Sequence, residues 1–137
     1  MTKQELAKAI IDRVNKYPDQ HNQDGWFFKG TVWDKDLTGI LALDADERKP
    51  ENWECGTAAC TAGHGVMILM DEDPELLEAI LGEEQEGHSY SKVISSYKPA
   101  WVVAKALGVS EVRGTCQRLF FDSERDSLVE LEAIAVS

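Results

Sequence analysis

The amino-acid sequence predicts a mainly α-helical fold, a compact single domain spanning residues 1–137. About six short helices should surround a central helix of small residues, with one minor β-hairpin near residues 26–33. Three observations lead there. Apolar residues recur at three- and four-residue spacing in several separate windows. Ser, Thr or Asp stands before most of these windows, and Pro or Gly closes them. The run Cys55-Gly56-Thr57-Ala58-Ala59-Cys60-Thr61-Ala62-Gly63-His64-Gly65 is nearly all small residues and leads into Val66-Met67-Ile68-Leu69-Met70. Such a run points to a buried helix that another element approaches closely.

Each element has its own local reason. Thr2 and Glu5 form a capping-box pair, and Leu6, Ile10 and Val14 follow on one helical face. Pro18 ends that helix, because the residue before a proline is pushed out of the α region. Residues 18–25 are a polar turn. Trp26-Phe27-Phe28 and Thr31-Val32-Trp33 flank Lys29-Gly30 as a short hairpin. Residues 34–54 read as an irregular acidic loop, with Ile40-Leu41-Ala42-Leu43 as either a turn of helix or an edge strand. Thr57 is the expected N-cap of a helix to about Met70. Asp73-Pro74 opens a helix that places Leu76, Leu77, Ile80 and Leu81 inward and stops at Gly82. Pro99 opens the next, which Gly108 terminates. Ser110 caps a helix in which Val112, Cys116, Leu119 and Phe120 share a face. Ser127 and Glu130 form a second capping-box pair before Leu128, Leu131 and Ile134.

At 137 residues, 43% hydrophobic and 28% charged, the chain has the composition of an ordinary globular domain. It holds no apolar stretch near the ~20 residues of a membrane span, and no signal-type segment follows Met1. Three cysteines are a poor disulfide framework, so the expected compartment is the cytoplasm. The net charge is −11, and residues 51–137 carry six Lys/Arg against sixteen Asp/Glu. Asp71, Glu72, Asp73, Glu75, Glu78, Glu83, Glu84 and Glu86 fall in a stretch without a base. This balance disfavours nucleic acid and anionic membranes, whose phosphates need clustered Lys/Arg. The ordinary reading of the run is a solvated face. The functional one is recognition of a basic protein through Glu75, Glu78, Glu83 and Glu84.

The candidate sites centre on the small-residue run. Cys60 and His64, four apart, share a helical face, where a thiolate–imidazole pair can make a nucleophile. Cys55, Cys60 and His64, with Cys116 or His88, would give four soft metal ligands. The Cys-x4-Cys-x3-His spacing is not a common zinc pattern, and the expectation is that no zinc is bound. Asp44-Ala45-Asp46 begins like a calcium loop, but Arg48 takes the next ligand position. The preferred reading is packing: Gly56, Ala59, Cys60, Gly63 and Met67 form a narrow stripe that admits a neighbour. His21 lies in the polar turn, either solvated or bonded to Trp26 or the cysteine helix. Trp26, Phe27, Phe28 and Trp33 are expected to seal the core.

The chain also resembles a group of uncharacterised small proteins of actinobacteria and their phages. The likeness is carried by Pro18-Asp19-Gln20-His21-Asn22-Gln23 with Trp26, by Cys55 to Gly63, by Ala104-Lys105-Ala106-Leu107-Gly108, and by Leu119-Phe120. It implies a shared fold and a phage or actinobacterial setting, and it supplies no catalytic residues. The expected function is an acidic cytosolic interaction protein, phage-encoded, binding a host or neighbouring protein without catalysis or cofactor. The alternative is a cysteine-dependent enzyme or zinc-binding protein built on Cys55, Cys60 and His64. The oligomeric state is left open.

Overall fold

A computed structural model describes residues 1–28, 37–54, 56–85 and 98–137. The fold is mainly helical. Seven α-helices are described: α1 (Lys3–Lys16), α2 (Leu37–Leu41), α3 (Thr61–Glu72), α4 (Pro74–Gln85), α5 (Lys98–Leu107), α6 (Arg113–Phe120) and α7 (Glu124–Ala135). Strands β1 (Phe27–Phe28) and β2 (Ala58–Ala59) pair antiparallel, Phe27 opposite Ala59 and Phe28 opposite Ala58. The small two-stranded element thus starts inside the expected segment, and its second strand comes from the cysteine run. Residues 31–33, the expected return strand, lie outside the described residues.

Several elements form for the local reasons already given. Glu5 N–H donates to Thr2 Oγ1 at 3.1 Å and Thr2 N–H donates to Glu5 Oε1 at 3.0 Å, closing the capping box of α1. Leu6, Ala7, Ile10 and Val14 are its buried face. Asp73 caps α4 by accepting from Leu76 N–H at 3.2 Å, with Pro74 at the first helical position. Gly108, at φ +73°, ends α5. Its N–H donates to Lys105 O and that of Val109 to Ala104 O, the paired bonds of a Schellman motif. The Ile40-Leu43 patch is helical at its start, within α2.

Other boundaries differ from expectation. Helix α3 begins at Thr61, capped by Cys60 and not by Thr57. Pairing with β1 holds Ala58 and Ala59 extended, and Cys60 N–H donates to Gly25 O at 3.0 Å, so tertiary bonds override the local cap. Gly56 and Ala59 therefore leave the proposed helical stripe. Helix α4 passes through Gly82 to Gln85. Glycine stops a helix by adopting positive φ, and among the described glycines only Gly56 and Gly108 do so. Ser110 caps nothing: a turn after Gly108, closed by Val112 N–H on Val109 O, delays α6 to Arg113. Val112 is consequently outside the helix and exposed. Helix α7 starts two residues after Asp122, where Ser123 accepts from Asp126 N–H at 3.2 Å. Ser127 is then an interior, buried helical residue.

Helix α3 is the centre of the molecule. It is buried from Thr61 to Leu69 and touches α1, α2, α4, α5 and α6. Helix α7 lies along α1 and against α6. The buried apolar residues of these helices form one cluster.

Candidate functional site

The described polar residues converge on the first turn of α3. The segment 21–28 runs across this turn. Asn22 N–H donates to Ala59 O at 3.0 Å, and Thr61 N–H to Gln23 Oε1 at 2.9 Å. Gly63 makes the approach possible. A Cβ built there would stand 1.8 Å from Trp26 O, so no side chain is tolerated. Gly65 faces the other way, where a Cβ would meet Val103 Cγ2 of α5 at 2.7 Å and Ile10 Cδ1 of α1 at 3.3 Å. The close approach expected from the small residues is therefore real. On the Gly63 side the neighbour is an extended backbone, and on the Gly65 side it is helical side chains.

Cys60 and His64 are both enclosed, at 1% and 0% exposure. Cys60 Sγ accepts from Gly63 N–H at 3.4 Å and serves as the cap of α3. His64 is clamped from two sides: Nδ1 accepts from Arg13 Nε at 2.9 Å, and Nε2 donates to Gln20 O at 2.7 Å. That assigns the Nε2–H tautomer, a neutral ring with no lone pair left for a thiol proton. Burial and the Arg13 cation push its pKa down to about 3. Trp53 stacks on the ring at 5.5 Å between centroids, and Arg13 Cζ lies 5.6 Å from a Trp53 ring centroid. Arg13 Nη2 also donates to Arg48 O at 2.6 Å, and burial lowers the Arg13 pKa to about 10, which leaves it charged at neutral pH.

A second buried chain begins at His21. The polar-turn histidine is bonded to the cysteine helix: its Nε2 lies 3.2 Å from Thr61 Oγ1. Thr61 Oγ1 in turn bonds Ser127 Oγ, which donates to Leu119 O at 2.7 Å. Because the one Ser127 proton goes to that carbonyl, Thr61 donates to Ser127 and accepts from His21. Burial lowers the His21 pKa. Gln23 braces the same corner, donating from Nε2 to Leu119 O at 2.7 Å. The two chains meet where the His21 and His64 rings touch edge to face, 6.2 Å apart.

The metal candidates do not assemble among the described residues, where no group of three or more His, Cys, Asp or Glu could hold an ion. Cys116 sits half-buried in α6 and donates to Val109 O at 3.2 Å. Cys55 and His88 lie outside the described residues. The calcium-like start is a turn in which Asp44 and Glu47 bond each other's backbone amides, while Arg48 binds Asp71.

The acidic run divides. Asp71 pairs with Arg48 at 2.7 Å, Asp73 accepts the Met1 ammonium at 2.6 Å, and Glu83 reaches Lys105 of α5 at 3.3 Å. Glu75 and Glu78 stand exposed on α4 with no ion-pair partner among the described residues. The Glu84 side chain and Glu86 lie outside the description. Of the expected aromatic seal, Phe27 is buried and packs edge to face on Trp53, while Trp26 and Phe28 are half-buried. Trp33 lies outside the described residues.

Arg13, Gln20, Gln23, Trp53, Thr61 and Ser127 were not singled out as site residues. Two had a visible signal. Arg13 lies one residue from Val14 and three from Ile10, on the edge of an apolar face, and Ser127 shares a face with Leu131 and Ile134. A polar residue on a buried stripe needs partners. Compared with family models, curated proteins and solved structures, the chain matches none.

Proposed function

We propose that this chain works by binding a protein partner and performs no catalysis. The observation that carries the reading is the enclosure of His64, with both ring nitrogens committed to Arg13 and Gln20. A general base needs a free lone pair within reach of its proton source, and the one lone pair of His64 is taken. The buried hydroxyls of Thr61 and Ser127 are likewise spent on each other and on Leu119 O. Glu75, Glu78 and Glu83 of α4 face solvent, and with Glu84 of the same helix they suit a basic protein. The resemblance noted above supports a cytoplasmic setting, that of the host if the protein is phage-encoded.

The test is affinity capture from an actinobacterial lysate with the full chain and with a variant carrying Glu75→Gln, Glu78→Gln, Glu83→Gln and Glu84→Gln. One protein enriched by the parent, weakened by salt and lost with the variant is expected. Identical capture by both chains would overturn the assignment of the α4 surface.

A further inference from the structure

We propose that the outer face of α7 is a self-association surface whose occupant is a second copy of this chain, seated antiparallel across a twofold axis. Helix α7 buries Ser127, Leu131 and Ile134. Arg125, Val129, Glu132 and Val136 follow one another at steps of four, three and four residues, which puts them on one outward stripe. Val129 is 57% exposed and Val136 84%, and Phe121, just before the helix, is 44% exposed. Of the five large apolar side chains exposed among the described residues, Val129 thus lies on α7 and Phe121 and Val136 flank its two ends, while Met1 and Val112 lie elsewhere. The far side of that helix is held by α1 and α6. Arg125 and Glu132, on the same stripe, make no ion pair among the described residues.

The pattern is complementary to itself. An antiparallel copy with the axis level with the Leu128–Val129 peptide sets Arg125 against Glu132 of the second copy, and Glu132 against its Arg125. The two Val129 side chains meet beside the axis, and Phe121 comes opposite Val136 of the second copy. A twofold interface requires this property, because each patch must bind an identical patch. The midpoint between Arg125 and Glu132 falls beside Val129, and the same midpoint in sequence relates Phe121 to Val136, so one axis serves all of these positions. The stripe itself is neutral although the chain carries −11. Contact here therefore avoids the like-charge repulsion that approach through the acidic face of α4 would meet.

The size of the surface sets the strength. Twelve residues make a helix ~18 Å long. One such pair buries less than the roughly 800 Å² per partner of a standard stable complex. Association should therefore be weak, with Kd of roughly 10 µM to 1 mM.

Sedimentation equilibrium of the full chain tests this, over concentrations spanning that range. The weight-average mass should rise from the 15.3 kDa monomer toward twice that value. Val129→Lys should weaken association at least tenfold. Arg125→Glu should weaken it likewise by facing acid with acid, and Arg125→Glu combined with Glu132→Arg should restore it. All three positions are exposed, so an unchanged circular-dichroism melt separates loss of contact from loss of fold. A monomer at every concentration, association indifferent to Val129→Lys, or a double reversal no better than the single one would each overturn the proposal.

Discussion

Gly63→Ala tests the closest approach made to any of Gly63, Gly65, Gly82, Gly108 and Gly114. The added Cβ would lie 1.8 Å from Trp26 O and 2.9 Å from Trp26 C, whereas real Cβ atoms essentially never come within 3.0 Å. The carbonyl must retreat by more than an ångström, and it belongs to the segment that pairs β1 with β2. The retreat endangers the Cys60–Gly25 and Thr61–Gln23 bonds, at 3.0 and 2.9 Å. Each buried group left unpaired costs about 1–3 kcal/mol. Alanine returns about 1 kcal/mol of helix propensity. The net loss should be about 3 kcal/mol, a large share of the 5–15 kcal/mol typical of a domain. Two other glycines calibrate it. At Gly65 the obstacle is Val103 methyls at 2.7 and 3.0 Å, so Gly65→Ala should destabilise by about 1 kcal/mol after the same propensity gain. At Gly82 nothing lies within 4 Å, and Gly82→Ala should stabilise by roughly 0.5–1 kcal/mol. Urea unfolding followed by circular dichroism measures all three. A Gly63→Ala midpoint at or above that of Gly82→Ala would refute the reasoning.

The clamp on His64 predicts acid sensitivity. Its folded pKa of about 3 lies below the ordinary value of 6.5, so the stabilisation is present above pH 6.5 and is lost as pH falls toward 3. On the order of 2 kcal/mol should be gone at pH 5, read from urea midpoints at pH 8 and 5; identical midpoints would contradict it. Arg13→Met leaves His64 Nδ1 and Arg48 O without their donor and should cost about 2–4 kcal/mol in the same assay. It should also raise the His64 pKa seen by NMR, because a neighbouring cation is gone. Ser127→Ala strands the Thr61 hydroxyl inside the core and should cost about 1–3 kcal/mol, with no change in helix content. Gly108→Ala forces a side chain into φ +73° and should cost about 1 kcal/mol, shown by a lower melting temperature.

Signals that act within one turn of chain were legible: the Thr2–Glu5 box, Asp73-Pro74, and Gly108 closing α5. Each depends on atoms three to five residues apart. The start of α3 was not legible, because strand pairing with Phe27–Phe28, some thirty residues upstream, decides between Thr57 and Cys60. Ser123 and Ser127 are both competent caps, and only the burial of α7 against α1 and α6 separates them. The site shows the same division. Cys60, Gly63 and His64 could be picked from the small-residue run as buried and crowded. Arg13, which bonds His64, lies 51 residues away in sequence, and Ser127, which bonds the neighbouring Thr61, lies 66 away; no local spacing encodes such a pairing.

The capping of α3 has a consequence for the order of folding. Helices α1 and α4 carry their own N-terminal stops, so both can nucleate from local sequence alone. Helix α3 holds two glycines and takes much of its N-terminal support from residues 20–28 arriving from elsewhere in the chain. The central helix is therefore less able to form by itself than α1 or α4. It should condense only as the 20–28 segment docks, placing its first turn among the late events behind the folding barrier. A truncating substitution at Gln23 should then speed unfolding and leave the refolding rate nearly unchanged.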